Sequence, residues 1–374
     1  MTIGNPAPAT WASRVVEVTD PEQERRAAAQ AGLIINGAEP LNCEVPVSLL
    51  GGEVTPTDRF YRRNHFPIPV LDAAAWRLSV SGLVDRALSL SLPEVTQLPA
   101  QTAVVTLECA GNARRMFQPP APGEPWGFGA VSTAEWTGVP LTEVLRRAGI
   151  QPGAQEIIFG GADRGTIDGA PHPIHFERSL AVADVAESDA LLAYAMNGQP
   201  LPPRHGYPLR LVVPGWYAVA SVKWLSSIRV TDEPFGGFFQ TERYMYERGS
   251  GTVVREPVRL QQVRALITRP STGQELASGG GLAVRGLAWS GAAPIEHVEV
   301  SVNHSPWQKA RLVGVAAAHA WQQWEFLADG LVPGETSIRA RAADLSGRVQ
   351  PEQPEWNRRG YGGNFIHEVV VQVR

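Results

Sequence analysis

The segment at residues 104–115 constrains the fold and the chemistry of the chain more than any other. Its β-branched and apolar residues predict a buried strand that runs into Cys109, and a Gly-Asn pair then favours a sharp turn. Arg114 and Arg115 follow at once, and neighbouring positive charge lowers the pKa of a thiol. The segment therefore predicts a thiolate that can bind a metal or act as a nucleophile. A buried structural cysteine beside two solvated arginines is the alternative, because free cysteine is mostly a core residue.

Length and charge bound the class of protein. The chain has 374 residues, enough for two domains, and its 44% hydrophobic content with 31 prolines fits a soluble protein rich in loops and strands. The formal net charge of -4 gives no reason to expect nucleic acid or an anionic membrane surface as a partner. Neither a signal peptide in residues 1–30 nor an apolar run long enough for a membrane span is present. We therefore expect a cytoplasmic protein, or a periplasmic one if a leader has been removed.

Two cysteines leave little room for structural cross-links. Cys43 lies in a loop-like stretch at 40–56 and is interpreted as an incidental thiol. The pattern Cys-x-x-Cys-His does not occur, so we expect no covalently attached haem.

The order of sequence patterns predicts an α+β domain at 1–255 and an all-β domain at 256–374. Residues 1–50 are expected to form an extended N-terminal arm, loose over 1–19, in which Asp20-Pro21 starts a helix that runs to about residue 30. Beyond 256, short alternating stretches separated by turn signals predict about seven strands in an immunoglobulin-like β-sandwich.

A second informative segment spans residues 60–69. It places two arginines, an amide and an imidazole between aromatic residues, ahead of a Pro-x-Pro that prevents a helix. A surface loop and a cradle for an anion or cofactor both remain open on this pattern alone.

A third segment, at 205–225, contains an arginine within a buried strand. Arg210 has apolar neighbours on both sides and needs a partner, because an unpaired charge is costly to bury. A phosphate suits its fork of donors, and His205 and Lys223 lie nearby in sequence. An internal ion pair is the alternative.

Two further residues carry weaker signals. Asp163 follows a Gly-rich strand end, where it can accept hydrogen bonds from ring amines or cap a turn. Trp126 follows a Pro/Gly-rich loop and can pack in a core or line a pocket.

Five separated motifs then occur in a single order along the chain. They are Arg-Asn-His-x-Pro-x-Pro at 63–69, Cys-Ala-Gly-Asn-x-Arg at 109–114, His-Gly-x-Pro-x-Arg with Val-Lys-Trp at 205–224, a tyrosine segment around 244, and Trp-Asn-x-Arg-Gly at 356–360. In these motifs the chain resembles the sulfite oxidase family of molybdenum-pterin enzymes, in a haem-free form of the bacterial or plant type. The resemblance covers nearly the whole chain beyond the first fifty residues.

The resemblance implies the fold and the functional residues together. It implies a sulfite-oxidase-type molybdopterin-binding domain, followed by the immunoglobulin-like domain that builds a homodimer. The implied cofactor is molybdenum with a pterin dithiolene and no haem, and Cys109 is the implied metal ligand. The implied cofactor-binding residues are Tyr61, Arg62, Arg63, Asn64, His65, Asp163, His205, Arg210, Ser221 and Lys223. The implied catalytic residues are Arg63, Arg114, Trp126, Tyr244 and Arg359.

The family roles carry over to particular positions. His205, Arg210 and Lys223 are expected to bind the pterin phosphate, and the catalytic arginines are expected to converge on an oxyanion. Tyr244 is expected to point at the metal, with Trp126 as a wall of the pocket.

The implied activity is oxidation of sulfite to sulfate by oxygen-atom transfer, with electrons passed to an external acceptor such as oxygen or a separate cytochrome. Arg243 departs from the family pattern, because an acidic residue usually precedes the tyrosine there. The exact substrate is therefore open, with nitrate or a sulfoxide as alternatives. A cofactor-free binding or scaffold protein is the alternative of another class.

Overall fold

The fold is known from a computed structural model that describes residues 20–170, 172–249, 253–277 and 279–374. The loose arm expected at 1–19 lies outside the described residues. The helices in the described ranges are α1 Pro21–Gln30, α2 Leu92–Thr96, α3 Leu141–Ala148, α4 Val182–Ala186 and α5 Phe238–Thr241. In this part of the chain, none of the helices is long and apolar enough to span a membrane.

Residues 20–50 are folded, which corrects the prediction of an extended arm. Helix α1 begins as expected, with the Asp20 carboxylate accepting a hydrogen bond from the backbone of Glu22 at 3.1 Å. A hairpin of β1 (Ile34–Ala38) and β2 (Leu41–Glu44) follows it. Cys43 is thus in a strand and not in a loop, because its backbone exchanges two 2.9 Å hydrogen bonds with Arg62.

Two five-stranded sheets form the body of the N-terminal domain. The strands are β3 Arg77–Gly82, β4 Leu88–Ser91, β5 Gln101–Glu108, β6 Val131–Pro140, β7 Glu156–Gly165, β8 Ile174–Ala181, β9 Leu191–Met196, β10 Gln199–Pro200, β11 Arg210–Val212, β12 Leu225–Thr231, β13 Met245–Arg248 and β14 Val254–Pro257. One sheet has the order β4-β3-β12-β7-β8; the other has the order β10-β9-β6-β5, with β11 on β9. Strands β13 and β14 form a separate hairpin.

The C-terminal domain is a two-sheet sandwich, as predicted, with more strands than the seven expected. Its strands are β15 Arg264–Arg269, β16 Glu275–Leu276, β17 Leu282–Trp289, β18 Ile295–Val302, β19 Gln308–Lys309, β20 Arg311–Val313, β21 Gln322–Ala328, β22 Gly334–Asp344 and β23 His367–Val373. The sheets β15-β17-β21-β20 and β16-β23-β22-β18-β19 enclose a core that includes Val284, Trp324 and Ile338. The division of the chain at residue 255 stays a prediction.

The cysteine turn is held at the end of β5 by its own backbone. The Cys109 amide donates to Ala130 O at 2.9 Å, and the Asn112 amide returns to Cys109 O at 2.9 Å. A Cβ on Gly111 would come within 2.6 Å of the Arg114 guanidinium, so a larger residue in this turn would have to displace the arginine side chain.

A buried carboxylate joins this turn to the sandwich. Glu108, the last residue of β5, has no exposed surface and lies 3.3 Å from the Arg264 guanidinium in an ion pair. The Trp289 indole and the Asn112 amide each donate to its carboxylate at 2.9 Å. The position of Cys109 is therefore tied to the C-terminal domain.

Removal of this carboxylate should destabilise the protein strongly. We expect Glu108→Ala to lower the free energy of unfolding by about 3–5 kcal/mol, because Arg264 would be left as a buried charge without its counter-ion. Glu325→Ala, which breaks the exposed pair with Arg311, should cost no more than about 1 kcal/mol. Urea unfolding followed by tryptophan fluorescence measures both losses, and similar values for the two variants would contradict the assignment.

Candidate active site

Two cavities meet at Cys109. The first is called here the polar cleft and the second the arginine cavity; counted with the solvent at their mouths, their volumes are about 690 and 720 Å³. Arg63, His65, Cys109 and Tyr244 line both. The expected metal ligand thus stands where one space opens into the other.

All the residues expected to bind a cofactor line the polar cleft. They are Tyr61, Arg62, Arg63, Asn64, His65, Asp163, His205, Arg210, Ser221 and Lys223. They come from both sheets and from the segment after β2, although more than 160 positions separate the first from the last. Asp163 reaches the cleft because the pairing of β7 with β8 is irregular between residues 160 and 164, and such a bulge redirects side chains.

Burial decides the protonation of Cys109. The thiol is 5% exposed, and burial raises its pKa above the ordinary value. Arg63 and Arg114 oppose this rise in the pKa without reversing it. The sequence-based prediction of a lowered pKa is therefore wrong in the metal-free protein, because desolvation outweighs the arginines.

Asp163 and Lys223 form the polar floor of the cleft. The Lys223 ammonium donates to Asn64 Oδ1 and, at 3.4 Å, to Arg204 O. Burial raises the pKa of Asp163 and lowers that of Lys223. Asp163 Oδ1 is buried and has no hydrogen-bond partner among the described residues, so it is available to a ligand.

Arg210 is buried among carbonyl groups. Its terminal nitrogens donate to His205 O at 3.0 Å and to Ser221 O at 3.3 Å, and its Nε has no partner. No carboxylate of the described chain lies within 4.0 Å of it, so the internal ion pair considered from the sequence is not found. Gly206 permits this cluster, since a Cβ there would lie 3.1 Å from Arg210 and Lys223.

Arg62 has a different environment. Its Nη1 lies 2.9 Å from Glu24 Oε2 in helix α1, and Glu24 also lies 3.5 Å from Arg204. Helix α1 therefore supplies negative charge at this end of the cleft. Contact between Arg62 and a cofactor stays a prediction.

His65 and Tyr244 are joined by a 2.7 Å hydrogen bond between Nε2 and Oη. The His65 ring stacks on Phe176, and the Tyr244 ring stacks on Tyr361, each with centroids 5.0 Å apart. Burial, reinforced by the charge of Arg63, holds the pKa of His65 well below its usual range. The imidazole is therefore neutral, and its Nε2 and the Tyr244 hydroxyl share one hydrogen bond.

Four arginines line the arginine cavity: Arg63, Arg114, Arg243 and Arg359. Arg63, Arg114 and Arg243 donate to amide or carbonyl oxygens, as when Arg114 donates to Arg359 O and Glu124 O at 3.0 Å, and Arg359 Nε is buried without a partner among the described residues. None of the four is within 4.0 Å of a carboxylate oxygen of the described residues. The cavity is therefore positive in a protein whose net charge is -4.

The structure corrects the prediction for Trp126. This side chain is fully buried in the core cluster that contains Cys109 and Trp136, and it lines neither cavity. Its loop is drawn toward β2, because the amides of Gly127 and Gly129 donate to Glu44 at 3.0 and 3.1 Å. Trp126 supports the cysteine turn from behind.

Sequence reasoning missed two neighbours of Tyr244, the aromatic Tyr361 and the basic Arg178. Tyr361 lines the arginine cavity and directly follows the Trp-Asn-x-Arg-Gly motif, so its position was a usable signal. Arg178 is 2% exposed, lies 5.9 Å from the Tyr244 ring centroid and donates to Phe239 O. An arginine in an otherwise ordinary strand gave no comparable signal.

Two family models cover most of the chain. Residues 65–239 match the oxidoreductase molybdopterin binding domain, and residues 256–374 match the Mo-co oxidoreductase dimerisation domain. These matches confirm the oxidoreductase class, the molybdopterin type of cofactor and the expected fold. The second match supports the expected homodimer.

Comparisons with individual proteins agree with the two family models. The chain is 37% identical to the mitochondrial sulfite oxidase of Mus musculus, over 99% of this chain and 71% of that protein. It is 33% identical to the sulfite oxidase of Arabidopsis thaliana, over 91% and 94% of the two chains. The crystal structure of the sulfane dehydrogenase SoxCD from Paracoccus pantotrophus superposes with a TM-score of 0.80 at 27% identity, covering 99% of this chain and all of that one. The chain therefore belongs to the sulfite oxidase family of molybdopterin-binding oxidoreductases.

Proposed function

We propose that the protein oxidises sulfite to sulfate at a molybdenum cofactor and passes electrons to an external acceptor. The balanced half-reaction is SO₃²⁻ + H₂O → SO₄²⁻ + 2 H⁺ + 2 e⁻. The arginine cavity carries the proposal, because it places unneutralised guanidinium groups beside Cys109. Guanidinium forks bind oxyanions through paired hydrogen bonds, so the cavity suits a small oxyanion.

The residues of the polar cleft fit molybdopterin in charge and in hydrogen bonding. Asp163 Oδ1 and Arg210 Nε are buried without partners in the described structure, and such atoms are costly unless a ligand satisfies them. A carboxylate suits the ring amines of a pterin, and a guanidinium suits a phosphate. The cleft thus offers an acceptor for the ring amines and a donor for the phosphate.

The assignment of residues follows from this fit. Cys109 would provide the protein's sulfur ligand, since soft thiolates suit redox-active transition metals. His205, Arg210 and Lys223 would hold the phosphate. The ring system would be fixed by Asn64, His65, Asp163 and Ser221, whose hydroxyl oxygen already accepts a hydrogen bond from the Val213 amide. When bound, the cofactor supplies the oxygen-atom transfer and the two-electron redox change.

The chain itself binds and orients the substrate. Arg63 and Arg114 would hold the oxyanion next to Cys109, and Arg359 would add a third guanidinium from the C-terminal domain. Carbonyl oxygens keep Arg114 in place without cancelling its charge. With the Nε2–H tautomer of His65 donating to its oxygen, the Tyr244 hydroxyl would donate its own proton in a hydrogen bond to an oxygen atom at the junction of the two cavities.

The acceptor and the location belong to the same proposal. Oxygen or a separate cytochrome would take the electrons, and the expectation that this chain binds no haem stays a prediction. A cytoplasmic location, or a periplasmic one after loss of a leader, stays a prediction.

The cysteine assignment predicts a clear loss. We expect Cys109→Ser to abolish sulfite-dependent ferricyanide reduction, because it removes the protein thiolate from the metal site. Cys43→Ser, at the other cysteine, should keep activity, since Cys43 lies in β2 outside both cavities. Elemental analysis for molybdenum on the same samples separates loss of the metal from loss of turnover. A fully active Cys109→Ser protein would exclude the ligand assignment.

Arg114 tests the oxyanion site separately from the metal site. We expect Arg114→Gln to lower kcat/KM for sulfite roughly ten- to a hundredfold, the worth of one charged hydrogen bond, with molybdenum content unchanged. Steady-state kinetics measures the change. Unaltered kcat/KM would remove Arg114 from the substrate site.

The buried Asp163 carboxyl predicts a pH-dependent stability in cofactor-free protein. Because burial raises its native pKa, the folded state keeps a proton that the unfolded state releases above about pH 4. The free energy of unfolding should therefore fall as pH rises from that point through the raised pKa. Asp163→Asn should lack this pH-dependent contribution to the free energy of unfolding. Between about pH 4 and the raised pKa of Asp163, the wild-type protein should therefore lose stability relative to the variant, as measured by urea titrations. Parallel pH profiles would show that the carboxyl has no raised pKa.

A further inference from the structure

We propose that Arg243 determines specificity in the arginine cavity, by making it select doubly negative oxyanions over singly negative ones. This inference rests on the proposed function for its substrate class, although anion binding tests it independently. It would explain why this site takes sulfite in preference to nitrate or a neutral sulfoxide.

The contacts of Arg243 hold the side chain in place but leave its charge intact. Its guanidinium donates to the backbone oxygen of Asp168 at 2.9 Å and lies 5.5 Å from the Phe238 ring centroid. Neither partner is an anion, and no carboxylate of the described residues is within 4.0 Å of Arg243. An ordered and uncompensated cation therefore faces the cavity.

Backbone geometry brings Arg243 and Tyr244 to the same space. Successive side chains of an extended chain point in opposite directions, yet both residues line the arginine cavity. The backbone of Tyr244 is left-handed, with φ at 52°, immediately before β13 begins. This turn lets the tyrosine face the reacting centre while the arginine adds charge to the same wall.

Among the described residues, the one acid that lines the cavity, Glu124, does not cancel this charge. Glu124 accepts a hydrogen bond from Asn42 at 3.0 Å, and its carboxylate lies against Gly37 of the β1–β2 hairpin. With four arginines and this one carboxylate, the lining carries a formal charge of about +3. A dianion leaves such a site closer to neutrality than a monoanion does.

Arg243 contributes to binding more than to the reacting centre. Arg243 lines the arginine cavity but not the polar cleft, whereas Arg63 lines both. Its attraction for an anion scales with the anion's charge, so it is twice as large for a dianion as for a monoanion. Removal of Arg243 should therefore weaken the binding of a monoanion by some factor and the binding of a dianion by about the square of that factor.

The experiment compares four holoenzymes: wild type, Arg243→Gln, Arg243→Lys and Arg358→Gln. Arg358 is a matched control, because it neighbours Arg359 in sequence while its side chain is 76% exposed and outside the cavity. Sulfate and nitrate serve as the dianionic and monoanionic probes. Their dissociation constants are measured by calorimetry at mildly alkaline pH, beside kcat and KM for sulfite.

We expect Arg243→Gln to weaken sulfate binding about tenfold and nitrate binding about threefold, with KM for sulfite raised and kcat nearly unchanged. Arg243→Lys should keep most of the selectivity, and Arg358→Gln should match the wild type. Equal losses for both anions, or none, would overturn the inference. If the wild-type enzyme fails to turn over sulfite, the proposed function fails, and the sulfate-to-nitrate ratio still decides the role of Arg243.

Discussion

The buried carboxylate of Glu108 is the contact on which the catalytic geometry depends. It ends the strand that carries Cys109, and it is satisfied by Arg264 and Trp289 of the sandwich and by Asn112 of the cysteine turn. A buried charge is tolerated only when such partners surround it. The C-terminal domain therefore does more than form a dimerisation surface: it completes the support of the residue expected to bind the metal.

The polar groups around Cys109 are divided between the polar cleft and the arginine cavity. The polar cleft has buried donors and one acceptor without partners, as a large cofactor with an anionic end requires. The arginine cavity has cations held by carbonyl groups and aromatic rings, which order a guanidinium without neutralising it. Local clustering, and not the net charge of -4, thus decides which ions approach the reacting centre.

Two errors of the sequence reasoning, at Cys109 and at Trp126, concern how deeply the side chain is buried. The arginines near Cys109 were correctly identified, yet desolvation raises the pKa of the thiol more than they lower it. Trp126 was placed in the pocket wall, but Glu44 draws its loop toward β2 and the indole packs in the core. Both outcomes depend on residues distant in sequence, whose proximity no local pattern reveals.

The sequence by itself determined the chemistry of this protein. Motifs with Cys109, Arg210 and Lys223 predicted a sulfur ligand and a phosphate cluster through their resemblance to the family's motifs, and these roles stay predictions. The same motifs indicated the family, and the alternation of apolar residues indicated the sandwich. Tertiary structure alone decided which groups stay unpaired, since that depends on partners brought together from both domains. It left Arg243 without an acid within 4.0 Å among the described residues and Asp163 Oδ1 without a donor, and such unpaired groups are what a bound ligand satisfies.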